Sequence, residues 1–335
     1  MSLIEYLTNH LILQTEYSGL LIYLESLLTI ICNSYNALVI SVCIPTYKRP
    51  ALLTKLLHSL YSQDLPDETN LEIILVDNDP GKSAEIIVRK FSDTERITVR
   101  YYNQPVKNIS ITRNISIANA KGDFIFFIDD DEYASQVWIK NMLATQQKYQ
   151  ADGVFGSVRS YFSDDTPDYL RHCLIFNRPE EVTGEPARYL RTGNAMIKTE
   201  LLKSVDGPFE ESYGLTGGED TKLLYDLKAK GAKFIYCSEA PVYELVPPER
   251  ANLKYIFNRS LRNGNIFIRR WLECGNKSTT ERIFKFIRSL LLLLVSIIMT
   301  ILSLPVPKWA IWAYIKCAAY LGHLSAMLGI KIKGY

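Results

Sequence analysis

The sequence predicts an α/β fold built on a doubly wound, mainly parallel β-sheet, followed by a hydrophobic helical tail. Short β-rich apolar runs alternate with segments of helical periodicity from Leu38 to Ile128, as expected for strands joined by crossover helices. The apolar runs are continuous, which is typical of strands buried on both faces of a sheet. The tail is predicted by residues 289–304, which contain only Ser and Thr as polar interruptions.

Strands and helices alternate in the first half of the α/β region. The predicted strands are LVISVCI (38–44), LEIILVD (71–77), ITVRYY (97–102) and DFIFFID (123–129). The predicted helices are ALLTKLLHSLYSQ (51–63), EIIVRKF (85–91) and SITRNISIANA (110–120), which carry apolar residues at helical spacing. Strands connected in this way are expected to lie parallel in one sheet.

The second half of the chain mixes strands and helices less regularly. Strands are predicted at GVFGSVRSYF (153–162), TGNAMIK (192–198) and AKFIYC (232–237), and a helix is predicted at GEDTKLLYDLKAKG (218–231). We divide the chain into an N-terminal helical extension (1–37), an α/β domain (38–250), a basic amphipathic helical region (251–282) and a membrane-associated helical segment (283–335).

Charge is distributed unevenly along the chain. Residues 250–335 contain 14 Lys and Arg but only Glu273 and Glu281 as acids, whereas residues 1–249 carry 24 basic and 34 acidic residues. A basic tail favours an anionic partner, either a membrane surface or a nucleic acid. Because this tail is also strongly apolar, we expect a membrane and no nucleic acid. The six scattered cysteines form no C-x-x-C pair, which favours free thiols in a reducing compartment.

The apolar tail allows three arrangements. Its two apolar segments are Ser289–Leu304 and Trp309–Ile330, and the first is slightly short for a full membrane span of about 20 residues. The segments could form a helical hairpin with both basic ends on the cytoplasmic side, or two interfacial or re-entrant helices. The third arrangement is a buried hydrophobic helix pair. Residues 1–36 are predicted to form one or two amphipathic helices, which suit packing or oligomerisation better than a membrane.

Three polar clusters fall at the carboxyl ends of predicted parallel strands. They are Pro45–Thr46–Tyr47, Asp77–Asn78–Asp79 and Asp129–Asp130–Asp131. Ligands bind outside these strand ends in sheets of this kind. Clustered carboxylates repel one another unless a cation joins them, and they suit Mg²⁺ or Mn²⁺ bridging a diphosphate. A nucleotide-sugar fits this chemistry, because breaking its bond from sugar to diphosphate releases a nucleoside diphosphate.

An ordered series of motifs resembles the family 2 glycosyltransferases of the GT-A fold over roughly residues 38–265. The motifs are SVCIPTYKRP, EIILVDND, TRNISIANAKGDFIFFIDDDE, TGNAMIK and GGEDTKLLYDLKAKG. The D-x-D triplet alone is a weak signal, whereas the ordered series is a strong one. The later segment APVYELVPPERANLKYIFNRSLRNGN is similar to bacterial exopolysaccharide glycosyltransferases of the succinoglycan glucosyltransferase type.

The resemblance implies which residues bind a nucleotide-sugar, with UDP as the expected nucleotide. Tyr47 would stack on the base, Asp77 would accept a hydrogen bond from the uracil imide, and Asp131 would be the main metal ligand. Asp129 would contact the ribose or share the metal, and Asp130 is expected to face away. The further donor-binding positions are Pro45, Thr46, Arg113, Gly193 and Asn194.

The resemblance also implies a catalytic base in the motif GLTGGEDTKLL. Asp220 would accept the proton of the acceptor hydroxyl, and Glu219 would contact the acceptor or orient the loop. A carboxylate at a helix N-terminus is also favoured by the helix dipole, so a capping role is the alternative.

Two further positions follow from the resemblance less directly. Many relatives place a metal-binding histidine after this helix, and Glu244 is the candidate for that position here. Arg259 and Arg262, one helical turn apart, would hold the donor diphosphate or, equally, anionic lipid head groups.

We therefore expect an inverting, metal-dependent glycosyltransferase that uses Mn²⁺ or Mg²⁺ and a lipid-linked or cell-envelope saccharide acceptor. Its expected location is the cytoplasmic face of a bacterial inner membrane. A sugar nucleotidyltransferase is an alternative, although the segment PTYKRPALL lacks the glycines expected for holding a triphosphate. A non-catalytic nucleotide-sugar-binding membrane protein is another, and the presence of both Asp131 and Asp220 disfavours it.

Overall fold

The structure is a computed structural model that describes residues 37–334, so the predicted helices of residues 1–36 lie outside the described residues. The strands are β1 (Leu38–Thr46), β2 (Thr69–Asp77), β3 (Ile97–Asn103), β4 (Phe124–Ile128), β5 (Glu132–Ala134), β6 (Gly153–Phe162), β7 (Asn194–Lys198) and β8 (Phe234–Val246). The helices are α1 (Pro50–Tyr61), α2 (Glu85–Val88), α3 (Ile109–Asn119), α4 (Trp138–Tyr149), α5 (Asp168–Arg171), α6 (Thr199–Lys203), α7 (Glu219–Ala229), α8 (Leu253–Glu273), α9 (Thr279–Leu302) and α10 (Pro307–Met327).

The strands form one sheet in the order β3-β2-β1-β4-β7-β6-β8-β5. Strands β1 to β4 pair parallel with one another, and β6 pairs parallel with β8. Strand β7 runs antiparallel between β4 and β6, and the short β5 is antiparallel to β8. The predicted α/β fold on a mainly parallel sheet is therefore confirmed, with β7 joining a parallel half to a mixed half.

Apolar layers cover both faces of the sheet, as the continuous apolar strands predicted. One layer contains Val42 and Phe126 and packs against α1 and α4. The other contains Cys43 and Phe127 and packs against α3 and α7. Neighbouring residues enter different layers because successive side chains of a strand point to opposite faces.

The chain enters β4 through a backbone contact with β1. A Cβ atom on Gly122 would lie 2.6 Å from the backbone nitrogen of Ser41, so only glycine allows this approach. The Ser41 hydroxyl accepts a hydrogen bond from the Gly122 N–H at 2.9 Å and donates one to the buried Glu72 carboxylate at 2.5 Å. This junction fixes the register of β4 on β1, and it thereby fixes where the acidic residues after β4 emerge.

The C-terminal helices continue from the α/β body. Helix α10 packs against α8 with direct backbone contact, because a Cβ on Gly322 would lie 2.0 Å from the Leu261 carbonyl oxygen. A Cβ on Gly264 would likewise lie 2.1 Å from the Ala319 carbonyl oxygen. The two helices therefore use glycines as a close-packed seam.

Helix α9 has a different environment from α10. Within residues 37–334 it is the helix that is long and apolar enough to cross a membrane by length and composition, with a mean hydropathy of 2.2. Only 17% of that apolar window is buried against the protein. The predicted tail thus consists of an exposed apolar helix, α9, and a second helix, α10, that is held on the body.

We predict that Gly322→Ala weakens the packing of α10 on α8. The added methyl group has no space against the Leu261 carbonyl, and overpacking of this kind costs about 1–3 kcal/mol. Denaturant unfolding of the detergent-solubilised protein measures the loss. Lys316→Ala, at an exposed position of the same helix, is the control and is expected to change stability by less than about 0.5 kcal/mol. An equal change in the free energy of unfolding in the two variants would show that the glycine contact does not contribute to the packing of α10 on α8.

Candidate active site

The three aspartates that follow β4 turn in different directions. Asp129 contacts Arg113 of α3, with 3.1 Å between the carboxylate and Nη2. Asp130 binds the end of β1 and Arg49, and Asp131 lies against Arg49 and Arg250. One carboxylate therefore lies toward α3, one toward β1 and one toward Arg250, which follows β8.

Asp130 anchors the loop after β1. Its Oδ2 accepts hydrogen bonds from the Thr46 hydroxyl at 2.9 Å and from the Tyr47 backbone N–H at 3.2 Å, and its Oδ1 lies 2.8 Å from Arg49 Nη1. Burial raises the pKa of this carboxyl to about 6, because desolvation outweighs the opposing charge of Arg49. Asp130 faces away from Asp129, as expected, but the cause is a turn: β4 ends at Ile128, so strand alternation does not set the direction.

Asp131 and Glu244 converge on a single cationic atom. Nη1 of Arg250 lies 3.0 Å from Asp131 Oδ2 and 3.0 Å from Glu244 Oε1. The antiparallel pairing of β5 with β8 brings Glu244 to this position, where it lies opposite Glu132. Burial, and then the charge of Asp131, raises the pKa of Glu244. The charge of Arg250 opposes this rise.

A divalent cation fits this donor set. Two carboxylate oxygens already surround one positive centre, and Mg²⁺ or Mn²⁺ takes one or two protein carboxylates and completes its shell with phosphate oxygens and water. No group of three or more His, Cys, Asp or Glu side chains arranged for a metal occurs in the described range. The residues that would hold the cation are Asp131 and Glu244. Asp129, expected to contact the ribose or to share the metal, is paired with Arg113 in this structure.

Glu132 and Arg191 belong to the site although the sequence did not single them out. Glu132 is buried, and its Oε2 accepts the Asp129 backbone N–H at 3.0 Å. Desolvation, and then the charges of Asp129 and Glu244, raises the pKa of Glu132 well above its ordinary value. Burial lowers the pKa of Arg191, and the charge of Glu132 is the largest influence that opposes this shift. A Cβ on Gly193 would lie 2.9 Å from Glu132 Oε1. A larger residue at position 193 would force the Glu132 carboxylate to shift.

Arg113 joins the edge of the sheet to the start of α7. Its guanidinium contacts Asp129 after β4 and forms a close ion pair with Glu219. Glu219 is 4% exposed, and burial raises its pKa to about 7 even though Arg113 opposes the shift. Glu219 was predicted to contact the acceptor or to orient the loop, and in the structure its side chain is paired with Arg113.

Asp220 takes the more open position beside Glu219. It is the second residue of α7, is partly exposed, and accepts the Thr221 backbone N–H at 2.6 Å. Two glycines in left-handed conformation precede the helix, Gly217 with φ 79° and Gly218 with φ 93°. These glycines turn the chain sharply, so the Asp220 carboxylate lies at a helix N-terminus while Glu219 is buried behind it.

The predicted base-binding residues differ in accessibility. Tyr47 is partly exposed, and Lys48 and Lys107 lie over its ring at 5.4 and 5.1 Å from the centroid. Asp77 is fully buried and accepts hydrogen bonds from the Asp79 and Ala84 backbone N–H groups and from the Tyr101 hydroxyl. Asp77 thus shapes the loop after β2, while Tyr47 is open to a ligand.

Two other predicted donor-binding side chains, Asn194 and Thr46, are engaged in contacts within the protein. Asn194 is 1% exposed: its Oδ1 accepts from Trp138 Nε1, and its Nδ2 donates to the Ser157 and Ala240 carbonyls. These contacts use both amide atoms of Asn194 to tie β7 to α4, β6 and β8. The Thr46 hydroxyl is used by Asp130 in the same way.

Arg259 and Arg262 do not share one environment. Arg262 donates a hydrogen bond to the Gly334 carbonyl at 3.0 Å, in the segment after α10. Arg259 lies close enough to Arg178 to lower the pKa of that guanidinium. The C-terminal segment thus engages Arg262, and binding of a diphosphate or of lipid head groups by this pair stays a prediction.

The chain is similar in sequence to known glycosyltransferases. Residues 41–205 match the model of the family described as Glycosyl transferase family 2. The chain is 34% identical over 232 residues to the succinoglycan biosynthesis protein ExoM of Rhizobium meliloti (strain 1021), covering 67% of this chain and 72% of that protein. It is 27% identical over 191 residues to the poly(ribitol-phosphate) beta-N-acetylglucosaminyltransferase TarS of Staphylococcus aureus (strain Mu50 / ATCC 700699), covering 56% of this chain and 32% of TarS.

Solved structures share the fold. S. aureus TarS in complex with UDP superposes with a TM-score of 0.52 at 18% identity, covering 87% of this chain and 92% of that one. The mannosyltransferase PcManGT from Pyrobaculum calidifontis, in complex with GDP-Man and Mn²⁺, superposes with a TM-score of 0.50 at 18% identity, covering 87% and 74%.

We predict that Arg113→Leu strongly destabilises the protein. The substitution leaves the buried Glu219 without its cation, and removal of one partner of a buried ion pair costs about 3–5 kcal/mol. Arg159→Leu is the matched control, because its partner Glu180 is exposed and such pairs contribute less than about 1 kcal/mol. Denaturant unfolding compares the two variants. A similar small loss in both would mean that Glu219 is stable without Arg113.

Proposed function

Because the chain belongs to the family 2 glycosyltransferases, we propose that it moves a sugar from a UDP-sugar to a saccharide acceptor during bacterial polysaccharide assembly. The observation that carries the proposal is the link through Arg113, which ties the carboxylates after β4 to the Glu219–Asp220 pair that opens α7. Arg113 thereby holds the sheet edge that would bind the donor close to Asp220, the candidate base.

The donor would bind across the parallel half of the sheet. Tyr47 offers an open ring for the base, and Lys48 and Lys107 add positive charge beside it. Asp131 and Glu244 would hold Mg²⁺ or Mn²⁺, which supplies charge neutralisation for the departing diphosphate. Arg250, which now neutralises both carboxylates, would turn to the phosphates when the donor is bound.

Asp220 would act as the base of the transfer. The acceptor hydroxyl forms the new bond to the anomeric carbon while the carbon–oxygen bond to the diphosphate breaks, and the bonding pair leaves with UDP. The proton of the hydroxyl passes to the Asp220 carboxylate. Attack from the face opposite the diphosphate inverts the anomeric configuration. Glu219 keeps Arg113 in place and takes no proton from the acceptor.

The tail would bring the active site to a membrane. Helix α9 exposes apolar side chains along its length, and Arg282, Lys285 and Arg288 lie near its N-terminal end. An apolar helix with basic residues at one end suits the cytoplasmic side of a bacterial inner membrane. The acceptor we propose is accordingly a lipid-linked or cell-envelope saccharide.

We predict metal-dependent release of UDP by the detergent-solubilised protein when it is incubated with a UDP-sugar and a membrane lipid extract. Asp220→Asn is expected to lower the rate at least about 100-fold with little change in donor affinity, because the base is lost but the residues that bind the donor are intact.

Asp131→Asn is expected to weaken the binding of both Mn²⁺ and UDP, because a carboxylate ligand of the metal is lost. Calorimetric titration of the variant with each ligand measures the change.

The control for this experiment is Asp226→Asn, in the same helix but paired with Lys222 at the surface. It is expected to retain the wild-type rate. Turnover that survives Asp220→Asn would overturn the assignment of the base. Donor binding without any turnover in the wild-type protein would identify a nucleotide-sugar-binding protein instead of an enzyme.

A further inference from the structure

The turn that leads into α7 is held by a buried arginine of α8. We call residues 213–218 the entry turn, because they lead to Asp220 near the start of α7. Arg269 donates a hydrogen bond from Nη1 to the Thr216 hydroxyl at 2.8 Å, and its guanidinium carbon lies 4.4 Å from the centre of the Tyr213 ring. All three side chains are buried. The guanidinium group therefore lies enclosed between α8 and the entry turn.

The contacts with the entry turn come from one face of α8. Ile266, Arg269 and Glu273 follow one another at intervals of one helical turn, so they lie on the same side of the helix. A Cβ on Gly218 would lie 2.5 Å from Ile266 Cγ2. The Tyr213 hydroxyl donates a hydrogen bond to the Glu273 carboxylate. Helix α8 thus contacts the beginning, the middle and the end of the entry turn.

The segment after α10 adds a backbone contact to the same turn. The Gly334 N–H donates a hydrogen bond to the Leu215 carbonyl at 2.9 Å. The segment is itself attached to α8, because Asn265 Nδ2 donates to the Ile330 carbonyl at 2.8 Å and Arg262 Nη1 donates to the Gly334 carbonyl at 3.0 Å. The entry turn is therefore bounded by α8 and by a segment that α8 also holds.

The position of the entry turn decides where the Asp220 carboxylate lies. Gly217 and Gly218 adopt left-handed backbone conformations, so the chain changes direction sharply between Thr216 and Asp220. In the described part of the chain, the hydrogen bonds to the Asp220 carboxylate come from Thr221, the next residue of the helix. Its direction is therefore set by the backbone of the turn and of α7. A displacement of about 1 Å at a reacting group can lower a rate about 100-fold.

We propose that Arg269 is a positioning residue for the transfer, which fixes the entry turn and thereby holds the Asp220 carboxylate toward the acceptor hydroxyl. The inference rests on the proposed function, because it requires Asp220 to be the base. A guanidinium group suits this role because it is planar: it donates to Thr216 from its edge while it lies over the Tyr213 ring. Arg269 takes no part in the proton transfer and acts through the turn.

Hydrogen exchange tests whether Arg269 holds the entry turn, and this test does not depend on turnover. The Thr216 and Gly217 N–H groups both donate to the Tyr213 carbonyl, so their exchange reports opening of the turn. In the detergent-solubilised full chain, Arg269→Met is expected to raise the exchange rate of residues 213–218 at least about 10-fold, because a buried contact of the turn is lost. Unchanged exchange would refute the proposal.

Arg270→Met is the matched control for this measurement. Arg270 is the next residue of α8, and its guanidinium carbon lies 4.0 Å from the centre of the Tyr225 ring on α7, outside the entry turn. The substitution removes an arginine–tyrosine contact of the same kind, and it is expected to change the exchange of residues 213–218 less than about twofold. An equal rise in both variants would indicate a general loosening of α8 and would contradict a specific role of Arg269.

Kinetics test whether the turn matters for the reaction. With a UDP-sugar and a membrane lipid extract, Arg269→Met is expected to lower kcat about 10- to 100-fold, because the base is misplaced. The KM for the UDP-sugar and the affinity for UDP are expected to change less than about twofold, because the donor-binding residues lie on other elements. Arg269→Lys, which keeps the charge without the planar group, is expected to recover part of kcat. A matching loss of UDP affinity in Arg269→Met would contradict a positioning role.

A double substitution separates positioning of the base from a general loss of structure. If Arg269 acts through Asp220, then Arg269→Met added to Asp220→Asn lowers the residual rate no further. A further drop as large as in the wild-type background would show that Arg269 acts independently of the base, against the proposal. Absence of transfer by the wild-type protein would refute the proposed function and the positioning role with it, whereas hydrogen exchange would still decide whether Arg269 holds the entry turn.

Discussion

The active site depends on compensation of charge in a small buried volume. Carboxylates gather at the end of β4, at the start of α7 and on β8, and they stay together because arginines lie between them. Arg113 is the central member, since it alone connects Asp129 at the sheet edge to the buried Glu219. A buried carboxylate without such a partner would take up a proton or unfold its surroundings. The ion pairs thus hold the elements of the cleft together.

The sheet gives this charge network two distinct sides. Strands β1 to β4 run parallel, and their carboxyl ends carry Tyr47, Asp77 and the three aspartates. Strand β7 reverses direction, and β8 beyond it carries Glu244. The short β5 pairs with β8 and brings Asp131 and Glu244 to the same arginine, Arg250. The candidate metal site therefore combines one carboxylate that follows the parallel half with one from the mixed half.

The C-terminal helices connect this cleft to the surroundings of the protein. Helix α8 supplies Arg259 on one side and packs against α10 through glycines on another. Ile266 of the same helix lies against Gly218, where a Cβ would approach it within 2.5 Å. Helix α8 therefore contacts the turn that presents Asp220, and α10 packs on the same helix. A membrane that holds α9 would fix the orientation of the cleft through these contacts.

The sequence by itself determined the strands of the parallel half and the acidic edge after β4. It also singled out Asp131, Glu219 and Asp220 as candidate site residues. Those features depend on local patterns: continuous apolar runs, strand ends, and a glycine-rich turn before a helix. Asp130 was placed correctly but for a different reason, since a turn and not strand alternation directs it.

The tertiary structure alone decided which charges meet. Arg49 and Asp131 are far apart in the chain, as are Arg113 and Glu219, and pairing between them depends on the sheet order. The same holds for Asn194, whose amide is used by three distant groups, and for Arg262, which the C-terminal segment holds. Arg191 carried no local signal, because an arginine in a loop is ordinary until the fold places it near Glu132, Glu244 and Asp220.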